Sequence, residues 1–174
     1  MEQKHIVFFN TKGGVSKSTL CEFAALELKR LGHDVSVDNT DQQEHVTLMD
    51  NDAAAFCLYD TAGSFTAENV ELLQAAAEAN AVIIVPMNTG QNDLKELPFL
   101  IARLEEYGIK EKARFVFTKT RQNSKALESR RATLAELGLT SCRWVMPQLE
   151  DFTEQRQTAR TRNEISAFLH EVIL

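Results

Sequence analysis

The chain has 174 residues, 44% apolar and 25% charged, with a formal net charge of −6. That size and balance suit one soluble α/β domain over 1–174 with a single substantial core, and exclude a low-complexity or repeat protein. No apolar run approaches the ~18 residues of a membrane span. The N-terminus enters a strand without a signal-peptide layout, and the dispersed Cys21, Cys57 and Cys142 lack metal or redox spacing. A cytoplasmic protein with reduced, mostly buried thiols is expected.

The first predicted strand, 4–9, carries the apolar run Ile6-Val7-Phe8-Phe9. It leads into Asn10-Thr11-Lys12-Gly13-Gly14-Val15-Ser16-Lys17-Ser18-Thr19 and then a predicted helix over 18–31. Strand, glycine loop and helix together make the setting in which backbone N–H groups and a helix N-terminus cradle phosphates. In that reading Lys17 sits on the β- and γ-phosphates and the Ser18 hydroxyl meets Mg²⁺. The general pattern G-x-x-x-x-G-K-[ST] fits only in part, because Thr11 and Ser16 stand at its two glycine positions. Lys12 is unexpected in a tight loop that already carries Lys17, since two cations there repel unless an anion lies between them.

A second strand is predicted over 35–38, ending at Asp38, where a carboxylate meets the crevice of an open α/β sheet. Only a short irregular or helical piece connects it to the third strand at 56–60. That strand, Phe56-Cys57-Leu58-Tyr59-Asp60, ends in a Walker B-like carboxylate suited to magnesium, and Gly63 follows to admit a γ-phosphate. Helices are predicted over 67–79, 91–107, 123–137 and 163–173, and further strands over 81–86, 114–118 and 143–146. Nearly continuous apolar strands alternating with helices predict a doubly wound, mostly parallel sheet flanked by helices. Leu31-Gly32 and Leu137-Gly138 have the form of helix ends. His5, His33 and His45 lack companions that would indicate metal, and Trp144 reads as core.

The loop resembles the deviant Walker A motif K-G-G-x-G-K-[ST] of the ParA/MinD family of dimerising ATPases, with Ser16 as its departure. The resemblance spans nearly the whole chain. It implies a P-loop ATPase that holds ATP and Mg²⁺ through Thr11, Lys12, Gly13, Gly14, Val15, Ser16, Lys17, Ser18 and Thr19. Thr118 and Pro147 would flank the adenine, and Ser18, Asp60 and Asp38 would serve the metal. Lys12, Lys17 and Asp38 would be catalytic, with Lys12 reaching the partner's nucleotide across a homodimer and Asp38 helping to activate water. Around Asp38 the family shows D-x-D-P-Q; Gln42 matches, Thr40 and Asp41 do not, and Asp41 offers a substitute one residue along. Thr118-Lys119-Thr120-Arg121 has arginine where a GTPase carries its guanine-reading aspartate, which favours ATP.

Charge is uneven. Residues 1–87 hold five Lys/Arg against thirteen Asp/Glu, whereas 112–131 holds seven Lys/Arg against Glu128 alone. With the resemblance, Arg121, Lys125, Arg130, Arg131, Arg156 and Arg160 become candidates for non-specific DNA contact. The implied protein is a nucleoid-associated partition ATPase, slow without its partner, working with a centromere-binding (ParB-like) adaptor and without membrane. The alternative is an ATP-binding scaffold of a plasmid stability or conjugation system that scarcely hydrolyses. The C-terminal apolar positions, flanked by Glu164 and Glu171, suit core packing rather than an anionic bilayer.

Overall fold

A computed structural model describes residues 2–40, 53–61 and 67–174. Among these, six strands form one sheet: β1 (Lys4–Phe8), β2 (Val35–Asn39), β3 (Phe56–Asp60), β4 (Ala81–Met87), β5 (Ala113–Thr118) and β6 (Ser141–Met146). All pairings are parallel and the spatial order is β2-β3-β1-β4-β5-β6. The helices are α1 (Lys17–Arg30), α2 (Ala67–Ala77), α3 (Gln91–Glu106), α4 (Lys125–Glu136), α5 (Glu150–Thr153) and α6 (Ala159–Val172).

The unbroken apolar runs serve both faces of this sheet. Successive strand residues point to opposite sides, so Ile6 and Phe8 join a core with Leu20, Phe23, Leu28, Phe168 and Leu169 of α1 and α6. Val7 and Phe9 join the other core, with Leu72, Leu73, Leu97, Leu100 and Leu134 of α2, α3 and α4. β1 is therefore covered on both faces and paired on both edges, and the chain leaves it only at its C-terminal end. Here the strand order reverses, because β3 lies on one side of β1 and β4 on the other; ligands of open α/β sheets bind at such a point.

Helix ends follow local chemistry. Gly32 N–H donates to Lys29 O and His33 N–H to Leu28 O, and Gly138 and Leu139 repeat this after α4, so both glycine stops act as read from the sequence. α6 begins at Ala159, earlier than the expected 163, because Thr158 and Thr161 form a reciprocal cap. The cap uses Thr where a sequence reader looks for Glu or Gln, which hides it. The short α5 was also not expected; it places Phe152 edge-on to Phe23 at 5.0 Å. Ile165, Phe168 and Leu169 are buried. Among the described residues no helix is long and apolar enough to cross a membrane.

All three cysteines are free and buried. Burial first, then the Glu171 carboxylate, pushes the Cys142 thiol from 9.0 up to about 12. The unfolded chain thus releases this proton near 9.0 and the folded chain only near about 12. The thiol's contribution to stability is complete below the lower value and is lost as pH rises through the window. Urea denaturation at pH 8 and pH 10.5 should show a smaller alkaline loss of stability in Cys142→Ala than in the parent; equal losses would contradict this assignment.

Candidate functional site

The loop between β1 and α1 is held by contacts from β4, from β5 and from the residue that follows β5. Asn10 Nδ2 donates to Pro86 O at 2.6 Å, and Asn10 Oδ1 accepts the Lys12 N–H at 2.9 Å. Thr118, fully buried at the end of β5, has its hydroxyl 2.9 Å from both Val15 O and Asn88 Oδ1. Lys119 Nζ donates to Gly14 O at 2.9 Å. Gly14 turns the chain at φ 74°, where a side chain is costly. Ser16 then caps α1 at φ 65°, left-handed, with no side-chain hydrogen bond into the helix. The position the family fills with glycine therefore keeps a glycine-like backbone, and Ser16 carries strain of roughly 1–2 kcal/mol there.

The first turn of α1 contains no acidic residue. Its leading N–H groups, the helix dipole and Lys17 add positive potential at this end of the helix. Lys12 to Thr19 line a cavity of about 520 Å³ that is closed by Lys119, Met146, Pro147, Gln148 and Phe152. That volume is ample for a small-molecule ligand. A Cβ built on Gly13 or Gly14 meets nothing within 4 Å, so the loop fronts open space. Thr11 Oγ1 is buried and has no hydrogen-bond partner among the described residues.

Lys12 has an anion that the sequence did not announce. Its ammonium lies 2.5 Å from Asp93 Oδ2, in the first turn of α3. Asp93 Oδ1 accepts the Asn88 N–H at 3.1 Å, so both carboxylate oxygens are engaged. The Asp93 side chain is 4% exposed and that of Lys12 is 30% exposed. The self-repulsion expected between Lys12 and Lys17 is thus relieved within the chain. Asp93 follows a bland Gly90-Gln91-Asn92, and its only sequence signal is an acidic residue in a first helical turn. Asn10, Asn88 and Lys119 are further positions that sequence reading passed over.

Asp60 ends β3 and is level with Phe8 and Asn39, while Asp38, one residue before the end of β2, is level with Tyr59 and buried; both lie at the C-terminal end of the sheet. Thr61, directly after Asp60, ties β3 to β1 by donating from Oγ1 to Phe8 O at 2.8 Å. Asp60 is close enough to Cys21, on α1, to add to the burial that holds this thiol well above its ordinary range. Asp60, Asp38 and Thr118 are not among the residues lining the cavity, whereas Pro147 is. Asp41, Gln42, His45 and Gly63 lie outside the described residues.

The basic candidates separate. Arg130 Nε donates to Thr89 O at 3.0 Å, and Arg131 donates to the carbonyls of Cys142 and Arg143. Arg156 pairs with Glu150 and Asp151. Lys125 is exposed at the start of α4. Arg121 and Arg160 come together on a second cavity.

No protein-family model matches the chain, and no curated protein matches its sequence. Solved structures match its fold. A Borrelia burgdorferi B31 protein assigned to plasmid partition, with AMPPNP bound, superposes at a TM-score of 0.72 and 11% identity, covering 99% of this chain and 100% of that one. Cobyrinic acid a,c-diamide synthase from Mycobacterium smegmatis, with a bound ATP analogue and magnesium, gives 0.68 at 12% identity over 98% and 95%. The cell-division protein MinD of Aquifex aeolicus gives 0.63 at 13% identity over 99% and 98%. These superpositions define the fold: one parallel sheet flanked by helices, with a glycine loop leaving its central strand. The chain has the fold shared by plasmid partition proteins and MinD.

Three substitutions probe the loop and its anion. Ser16→Gly relieves the left-handed strain and should stabilise the protein by about 0.5–1 kcal/mol, after allowing for glycine's greater chain entropy. Lys12→Ala leaves a buried carboxylate without its counter-charge, whereas Asp93→Ala lets the partly exposed Lys12 turn to water. Urea denaturation should therefore show Lys12→Ala costing about 2–4 kcal/mol and Asp93→Ala about half that. The reverse order would refute the assignment of Asp93 as the buried member.

Proposed function

We propose that this chain is a ParA-like ATPase in which Mg-ATP drives a face-to-face homodimer that binds DNA without sequence preference. Hydrolysis, stimulated by a centromere-binding partner protein, resets the switch. The observation that carries the reading is the two-lysine loop at the sheet's switch point, opening onto a ligand-sized cavity. Its supports are the Thr11 hydroxyl, unpartnered among the described residues, the acid-free start of α1, and the open space before Gly13 and Gly14. These are features of an anion cradle. The folds that superpose here include proteins with AMPPNP, or with an ATP analogue and magnesium, bound.

In this reading the loop N–H groups and Lys17 hold the triphosphate, and Ser18 and Asp60 hold magnesium, with Asp38 nearby. Bound magnesium supplies charge neutralisation at the transferring phosphate. Thr118 supports the loop from beneath through Val15, and Pro147 closes the far side of the cavity. Lys12 must leave Asp93 to reach a partner's nucleotide, so dimerisation exchanges one anion for another. The cost of exposing Asp93 opposes dimers lacking a nucleotide across the interface.

The second reading, an ATP-binding scaffold that scarcely hydrolyses, is favoured by the left-handed Ser16. A Cβ where the family has glycine alters the loop beside the reacting phosphates.

Sedimentation with magnesium and either ADP or a non-hydrolysable ATP analogue tests the switch. A dimer should form with the analogue only, and be lost in Lys12→Ala and in Lys12→Ala/Asp93→Asn, whose neutralised carboxamide protects the fold. A parent protein that stays monomeric with analogue sinks the proposal. Analogue-dependent dimers with no phosphate release, even with DNA and partner, would select the scaffold.

A further inference from the structure

Beside the nucleotide cavity lies a second one of about 560 Å³, between the β5–α4 loop, β6 and the start of α6. The two share Lys119, Pro147, Gln148 and Leu149 as a common wall. Arg121 and Arg160 stand on the second cavity, and neither guanidinium has a hydrogen-bond or ion-pair partner among the described residues. Arg160 has an acidic residue one helical turn on, Glu164, which is the usual partner at that spacing. Glu164 instead accepts the Trp144 indole N–H at 2.9 Å. Trp144 is thereby fixed on the cavity wall, with Phe168 behind it at 5.2 Å between ring centroids.

Two uncommitted guanidinium groups, an oriented indole and a concave space of nucleotide size form one constellation. Lys119 adds a third cation, and among the described residues Glu164 is the single acidic group lining the cavity. A base stacks on an aromatic face while arginines hold the flanking phosphates; this is how proteins grip unpaired nucleic acid. A duplex keeps its bases paired inside and offers a convex rod of phosphates, which a concave cavity of this volume does not admit.

We infer that this cavity takes one unpaired nucleotide of a single-stranded nucleic acid, its base on Trp144 and its phosphates at Arg121 and Arg160. The inference rests on the proposed DNA-binding role and narrows it to single strands. It also narrows the six basic candidates to two. The shared wall makes the strand's affinity respond to what fills the nucleotide cavity within the same subunit.

Trp144 is the only tryptophan in the chain, so its fluorescence reports on this cavity alone. The full-length protein with magnesium and a non-hydrolysable ATP analogue is titrated with a ten-residue oligothymidylate and, separately, with a duplex of equal length. The oligothymidylate should quench Trp144 saturably and bind about tenfold or more tighter than the duplex, the scale of one lost base stack. Arg121→Ala and Arg160→Ala, exposed positions whose melting curves should match the parent's, should each weaken that binding about fivefold or more. Trp144→Phe should retain more affinity than Trp144→Leu. A duplex that binds as tightly as the single strand, or arginine variants with unaltered affinity, would overturn the inference and leave the ATPase reading standing. Quenching complete with the analogue alone would assign the cavity to the nucleotide and also overturn it. Binding of neither nucleic acid, with the analogue-driven dimer intact, would remove the DNA role itself.

Discussion

The site depends on the burial of strand β1. Pairing on both edges and side chains on both faces leave the chain one way out, at the C-terminal end, where β3 and β4 part company. A loop leaving such a strand cannot spread over the sheet, so it turns tightly into α1. The turn is stitched in place by Asn10 on Pro86, Thr118 on Val15 and Lys119 on Gly14. These contacts come from β4 and β5 and beyond, which makes the loop's shape a property of the whole sheet. A cradle assembled this way is preorganised, and the ligand need not order it on binding.

Electrostatics give the loop its second constraint. Lys12, Lys17 and the α1 dipole crowd positive charge into one turn, and the buried Asp93 carboxylate answers Lys12. Its first-turn place on α3 is favourable for a carboxylate, since the helix N-terminus adds to the attraction of Lys12. Ser16 works against this economy. It holds a backbone conformation that glycine would adopt without strain, and the surrounding contacts hold it there.

The basic surface is less uniform than its charge count suggests. Arg130 and Arg131 spend their donors on carbonyls of Thr89, Cys142 and Arg143, and Arg156 is tied to Glu150 and Asp151. Such residues hold loops and strand ends together at least as much as they attract a polyanion. Arg160 differs because Glu164, one helical turn on, is taken by Trp144, while further along α6 Glu171 accepts the N–H groups of Arg143 and Trp144 on the outer edge of β6. Covering that edge also discourages pairing with a foreign strand.

Much of the fold was legible because it is encoded locally. Apolar runs such as Ala81 to Val85 mark strands buried on both faces, and glycine after Leu31 and Leu137 marks helix ends. The loop at 10–19 announces a phosphate cradle because its strand–glycine–helix order is contiguous. Even the demand for an anion near Lys12 could be stated in advance from charge alone. Its identity could not, because Asp93 lies 81 residues away and meets Lys12 only when α3 packs beside β1. The same holds for the sorting of arginines into tied and free, for Trp144 as a cavity wall rather than plain core, and for α6 starting at Ala159. Those outcomes rest on which distant groups share a donor, and sequence spacing carries no record of that.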